Sequence, residues 1–348
     1  MTDRYTNAEW AAQIAETQKA VVRQDKAWPV PAAGSREFAQ TIDHTLLKLD
    51  ATAAQIDALC AEARQEGFKS VCVRLPFVAR CVSNLRGSSV VVACVVGFHE
   101  GTYDTYAKLQ EAQEAVKAGA SELDIVLNHS ILTSAPTPSP KSASSTPPPA
   151  PSHKQTLSDA TTESITASNS STPPTSGPYS VPSNDSNTTT TTHPAQPPNY
   201  SAIFTELAAL RTLCPAPTLL KLILETSALT PAQILAATHL AAAARFDFVK
   251  TSTGFAGRGA TEADVLLMRA ACDVLGQRAA RGMQVKASGG IRSLEGAVAM
   301  LRAGAGRLGT SSGVWIMQEG RRVVAEKETG RPGGGVTRLY TGDSVGGY

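Results

Sequence analysis

The chain reads as an α/β protein, a single (β/α)8 TIM barrel, on three observations: short β-prone runs alternate with helical stretches, eight such runs can be placed, and their charged residues fall on one face. The length of 348 residues admits either two average domains or one barrel of about 250 residues with non-globular additions. Residues 134–199 decide for the barrel. They are almost wholly Ser, Thr, Pro, Ala and Asn, cannot seed a core, and are expected to form a long disordered insert after the fourth strand. The expected organisation is an N-terminal helical extension over 1–38, barrel halves over 39–133 and 200–330, the insert between them, and a flexible Gly-rich tail over 331–348.

Taken in order, Trp10, Ile14 and Val21 fall at helical spacing within 7–24 and predict an amphipathic helix docked on the outside or base of the barrel. Strands are expected at 41–46, 70–73, 90–95, 122–128, 219–225, 246–250, 284–287 and 307–309. Helices are expected between them at 53–65, 103–118, 201–213, 231–243, 261–275 and 294–303, several stopping at a glycine: Gly67, Gly119, Gly276 and Gly304. An open doubly wound sheet shares this element order. Strand parity favours the barrel. Alternation sends Leu123, Ile125 and Leu127 to one face and Glu122, Asp124, Val126 and Asn128 to the other; it likewise groups Thr41, Asp43 and Thr45, and Lys221, Ile223 and Glu225. A sheet covered by helices on both faces would bury those charges, whereas a barrel can lead them to a polar mouth.

Composition removes several classes. A net charge of +2 with dispersed basic residues, and 5% aromatic content, give no footprint for nucleic acid. No run approaches the ~18 apolar residues of a membrane span. The N-terminal segment lacks both the apolar stretch of a secretory signal and the acid-poor character of a transit peptide. The six cysteines lack CxxC spacing and are expected to be reduced thiols of a cytoplasmic protein. The six histidines show neither HxH nor HExxH spacing, so no metal site is expected, and His44 and His99 read better as hydrogen-bonded structural residues than as ligands.

Two lysines end predicted strands, Lys250 and Lys286. Barrel chemistry occurs at the C-terminal ends of strands, and adjacent strands bring the two ammonium groups together. Each then disfavours the charge on the other and, with partial burial, frees an amine to attack a carbonyl. Asp124 points inward and can relay protons with Lys286. A lysine at a strand end is ordinarily a solvated surface residue, so the convergence carries the argument. A phosphate site is suggested by Gly289 and Gly290 after the seventh strand and by Gly309, Ser311 and Ser312 after the eighth, with Thr253 and Gly254 contributing from the sixth. Cys72 could line the pocket, although core filler is the plainer reading. Asp43, Thr45 and Lys221 complete the inward-facing candidates.

These segments resemble the deoxyribose-phosphate aldolases. The motifs are Ile42-Asp-His-Thr-Leu-Leu-Lys48, Ser70-Val-Cys-Val73, Glu122-Leu-Asp-Ile-Val-Leu-Asn128, Leu220-Lys-Leu-Ile-Leu-Glu-Thr226, Asp247-Phe-Val-Lys-Thr-Ser-Thr-Gly-Phe255 and Val285-Lys-Ala-Ser-Gly-Gly-Ile-Arg292. The resemblance implies a Schiff base on Lys250 and proton relay by Asp124 and Lys286. It implies reversible cleavage of 2-deoxy-D-ribose 5-phosphate to D-glyceraldehyde 3-phosphate and acetaldehyde, without metal or organic cofactor, in deoxynucleoside breakdown. The sequence departs from the family at Val96-Gly-Phe-His-Glu-Gly101, where a Pro and an apolar residue usually follow the Phe, and in the insert. Competing readings are another lysine-dependent aldolase acting on a different sugar phosphate, and a lapsed barrel that only binds sugar phosphates. The partner expected is the small substrate, with a homo-oligomer admissible.

Overall fold

The computed structural model describes residues 5–22, 26–133, 198–279 and 281–329. The insert and the Gly-rich tail expected from the sequence therefore lie outside the described residues, apart from Pro198 and Asn199. Asn199 begins the second half of the barrel, because its side chain accepts the Ala202 amide at 3.0 Å and caps the helix that follows.

Eight parallel strands close in sequential order: β1 (Ile42–Thr45), β2 (Ser70–Val73), β3 (Val91–Val96), β4 (Glu122–Val126), β5 (Leu219–Ile223), β6 (Phe248–Lys250), β7 (Gln284–Ser288) and β8 (Arg307–Thr310). β8 pairs back to β1 through Asp43 opposite Gly309, which excludes the open sheet. The helices are α1 (Asn7–Ala20), α2 (Arg36–Ala39), α3 (Ala53–Glu66), α4 (Val78–Asn84), α5 (Thr105–Lys117), α6 (Ser130–Thr133), α7 (Tyr200–Leu213), α8 (Pro231–Ala243), α9 (Glu262–Ala279), α10 (Leu294–Arg302) and α11 (Gly313–Thr329).

Local chemistry fixes the helix ends. Thr52 with Gln55, and Thr230 with Gln233, form reciprocal capping boxes at the starts of α3 and α8. Gly67 ends α3 in the left-handed region, at φ 69° and ψ 39°, as its missing Cβ allows. Gly276 does not end its helix as expected: α9 continues through it to Ala279, since a single glycine costs a helix only about 1 kcal/mol. α2, α4, α6 and α11 were not anticipated.

Residues of β4 show how the barrel sorts side chains. Leu123 and Ile125 join the apolar shell between strands and helices, with Leu220 and Leu222 of β5 and Val285 and Ala287 of β7. Val126 faces the lumen with Cys72, Ala93, Val95 and Ile223. α8 is buried along most of its length, Ile234 through Leu240 included, because α1 covers its outer side. Trp10, Ile14 and Thr17 form the buried stripe of α1, Thr17 occupying the place expected of Val21, and the Trp10 ring packs on Phe204 of α7 at 4.7 Å. No helix among the described residues is long and apolar enough to cross a membrane.

Candidate active site

Inward-facing charged residues stack through the lumen from the base of β8 to the mouth. Arg307 donates to Asp43 and, at 2.9 Å, to Glu122. The Lys221 ammonium lies 2.6 Å from Glu122, 2.7 Å from Asp124 and 3.6 Å from Asp43. Lys286 lies 2.5 Å from Asp43 and 2.7 Å from Asp124. Among the described residues, Lys250 pairs with Asp124 alone, at 3.0 Å. Asp124 thus accepts from three lysines, Lys250 and Lys286 sharing its Oδ2. Gly309 makes this crossing feasible, because a Cβ there would sit 3.1 Å from the Lys286 Cε.

The electrostatics separate the lysines. Burial pushes the Lys250 amine below the ordinary lysine range; Asp124 opposes this and Lys286 adds to it. Burial works the same way on Lys286, but there the carboxylates of Asp124 and Asp43 outweigh it and hold the ammonium above its ordinary range. Lys221 is likewise raised against burial by Asp124 and Glu122. The two strand-end lysines therefore do not disfavour each other's charge equally, as symmetric neighbours would. Desolvation is the largest influence on Lys250, and the second carboxylate at Lys286 breaks the symmetry. The desolvating surface is visible: Leu47, Cys72, Ala93, Val95, Phe98, Val126 and Ile223 form an apolar cluster in the lumen, with Phe255 packed against it. Burial also opposes ionisation of Asp124, yet Lys221, Lys286 and Lys250 keep its carboxyl well below its ordinary range.

The arrangement can hold a free amine beside a fixed ammonium and a fixed carboxylate, which is the chemistry that imine formation and proton transfer require. Cys72 lies in the same pocket, its thiol 4.0 Å from Asp124; burial, and then that carboxylate, push it up to about 11. It stays protonated at neutral pH. Thr45 donates to the backbone oxygen of Asp43 at 2.9 Å.

Around the mouth, the β6, β7 and β8 loops converge. A Cβ on Gly289, which sits at φ +87°, would lie 2.9 Å from the Gly259 Cα and 3.4 Å from that of Gly254, so these backbones touch only because side chains are absent. Ser288 donates to the Ser252 oxygen at 2.5 Å and locks the two loops together. Gly290 is exposed. Ser311 and Ser312 immediately precede the N-terminus of α11, a placement suited to an anion.

Glu225 escaped the sequence reading as a site residue. Its expected strand stops at Ile223, and Glu225 turns into the left-handed region at φ 56° and ψ 65°. Its buried carboxylate accepts the Thr253 amide at 3.0 Å and hydroxyl at 2.6 Å, and Ser227 at 3.0 Å. The Thr253 hydroxyl is thereby committed to protein, and Glu225 braces the loop after Lys250. Non-glycine residues in this region are uncommon and concentrate at functional sites. The atypical His99 stacks on Phe255 at 5.4 Å, with Phe98 edge-on to the same ring at 5.1 Å. His44 pairs with Glu62 at 2.7 Å outside the lumen. Among the described residues, no group of three or more His, Cys, Asp or Glu is placed to hold a metal ion.

Residues 38–135 match the model of the DeoC/LacD family aldolases. The deoxyribose-phosphate aldolase of Coccidioides immitis is 39% identical over 315 residues, covering 90% of this chain and 92% of that protein. The enzyme of that name from Carboxydothermus hydrogenoformans is 37% identical over 284 residues, covering 82% of this chain and 95% of its own. A crystal structure assigned as a deoxyribose-phosphate aldolase from C. immitis superposes with a TM-score of 0.69 at 38% identity, covering 92% of this chain and 100% of that one. The tetrameric deoxyribose phosphate aldolase of Aeropyrum pernix shares the fold, with a TM-score of 0.60 at 24% identity over 90% of this chain and 99% of its own. The chain belongs to the DeoC/LacD aldolase family, among the deoxyribose-phosphate aldolases, and is by that membership a class I lyase.

Proposed function

We propose that the protein reversibly cleaves 2-deoxy-D-ribose 5-phosphate into D-glyceraldehyde 3-phosphate and acetaldehyde through a Schiff base on Lys250. One observation carries the reading: of three buried lysines around Asp124, Lys250 has the fewest carboxylate neighbours and is the one whose charge burial disfavours most effectively, so it yields a free amine most readily.

The free amine attacks C1 of the open-chain sugar, and loss of water from the carbinolamine leaves a protonated imine. A proton then leaves the C3 hydroxyl, the C2–C3 bond breaks, and its electron pair passes through C2 and C1 to the imine nitrogen as an enamine. Asp124 and Lys286, both hydrogen-bonded beside Lys250, are the groups to exchange protons with the carbinolamine and with C2. Water regenerates the lysine and releases acetaldehyde. The apolar cluster around the amine suits the two-carbon fragment, while Gly254, Gly289, Gly290, Gly309, Ser311 and Ser312 stand where the phosphate would rest near the α11 N-terminus. In this reading Asp43 and Lys221 hold the charge array, Thr253 holds the loop, and Cys72 lines the pocket.

A role in deoxynucleoside breakdown, a cytosolic location and self-assembly, as in the tetrameric A. pernix protein, belong to the same proposal. Borohydride reduction with acetaldehyde is expected to leave a two-carbon adduct on Lys250, located by peptide mass spectrometry and absent from Lys250→Ala. An adduct elsewhere, or none, overturns the mechanism.

A further inference from the structure

The lumen holds more charge than the proton transfers use. Asp43 enters from β1, Glu122 and Asp124 from β4, Lys221 from β5, Lys250 from β6, Lys286 from β7 and Arg307 from β8. β2 adds the Cys72 thiol, and β3 presents the uncharged Ala93 and Val95 to this space. Three carboxylates thus face four basic groups, all of them buried. A buried array with an unmatched charge is costly, so the arrangement is electrically neutral when one lysine has lost its proton.

The geometry decides which one. Lys221 has three carboxylate neighbours, Lys286 has two, and Lys250 has one, which it shares with both others. Arg307 cannot yield its proton, since a guanidinium remains charged throughout the working pH range. It grips Asp43 and Glu122 from below, with its guanidinium 5.5 Å from the centre of the Phe248 ring. Without it, those two carboxylates could give more of their charge to Lys221 and Lys286, and Asp124 could turn further towards Lys250.

We propose that Arg307 is a positioning residue that makes the Lys250 ammonium easier to deprotonate, by occupying Asp43 and Glu122 and supplying the fourth, permanent positive charge of the lumen. The inference deepens the aldolase reading and rests on it for its consequence, but its physical content does not need a substrate. It predicts paired changes of opposite sign. Arg307→Gln leaves three carboxylates against three lysines and favours a proton on Lys250. Glu122→Gln leaves two carboxylates against four cations and disfavours it.

The test is NMR of the full chain labelled with 15N at the lysine side chains, with Lys250→Met assigning the signal, followed as a function of pH. The ionisation midpoint of Lys250 should move alkaline by about one pH unit or more in Arg307→Gln, return towards wild type in Arg307→Lys, and move acid in Glu122→Gln. The acid limb of kcat/KM for deoxyribose 5-phosphate cleavage should follow the same order. A variant that merely loosens the fold would instead lower the rate at every pH and leave the limb in place. If Arg307→Gln does not fold, the acid shift in Glu122→Gln still decides. A Lys250 midpoint that stays put in the folded variants overturns the proposal. A midpoint that moves as stated while no acetaldehyde is released upholds it and overturns the aldolase reading instead.

Discussion

Neighbouring residues on β4 face two different solvents. Leu123 lies in the shell between sheet and helices, among aliphatic side chains from β5, β7 and the surrounding helices. Asp124, next in the chain and equally buried, lies in the lumen against three ammonium groups. In the shell, stability depends on volume, and each side chain contributes roughly in proportion to the apolar surface it removes from water. In the lumen it depends on pairing, so one deletion is felt by every charge that shared the partner. The strand's alternation creates both regions with one backbone.

The strongest way to break that contrast is Asp124→Asn, which changes almost no volume. It removes the charge common to Lys221, Lys250 and Lys286. Turnover is expected to fall by about 10² to 10⁴, the usual worth of a positioned acid–base group, and the fold to lose about 3–5 kcal/mol because buried cations are left unmatched. Steady-state kinetics and urea unfolding measure the two losses. A near-isosteric change that left both intact would mean the lumen tolerates unpaired charge as the shell tolerates a trimmed aliphatic.

Much of the contrast was legible in the sequence. Parity alone placed Asp124, Lys221 and Asp43 inside and Leu123 and Ile125 outside, because the period of two is a property of any strand. The eightfold repeat fitted an open sheet as well as a barrel, and parity again favoured closure. Depth was not legible, since it is set by the stagger of strands in the closed barrel. Lys286 reaches Asp43 and Asp124 across the space left by Gly309, and no local pattern announces that crossing. The protonation asymmetry between Lys250 and Lys286 therefore belongs to the folded barrel and not to either strand. Glu225 was misread for a related reason: parity assumes that the strand continues, and this chain leaves it at Ile223. α11 was missed because it opens on glycine and exposes Trp315, so its start resembles a loop.

A second, smaller perturbation sharpens the other side. Leu123→Ala removes a fully buried side chain from the shell and is expected to cost about 3 kcal/mol in urea unfolding, through lost transfer energy and the cavity left behind. Its kcat should stay within a few-fold of wild type, because the Asp124 side chain leaves the opposite face of the strand. A loss of turnover matching that of Asp124→Asn would show that the two faces are mechanically coupled and not independent.

The smallest effect lies where the two regimes meet, beneath α1. His239 of α8 is buried, and its Nδ1 lies 2.9 Å from the Thr17 hydroxyl. That hydroxyl accepts from Arg278 at 3.2 Å and keeps its own hydrogen free to donate to Nδ1 in the tautomer that leaves this nitrogen unprotonated. Burial, and then Arg278, lower the ring from 6.5 to about 4. The unfolded ring takes up its proton near 6.5 and the folded one only near 4, so within that window the unfolded state binds more protons and stability falls with falling pH. The gap sets an upper bound of about 3 kcal/mol, fully lost only below the folded value. Other groups titrate in the same range, so the informative quantity is a difference. His239→Gln keeps an acceptor for Thr17 and cannot titrate there; its melting temperature should decline less than that of the wild type between pH 6.5 and 4. Parallel curves would mean that the imidazole is protonated as readily inside the fold as outside it.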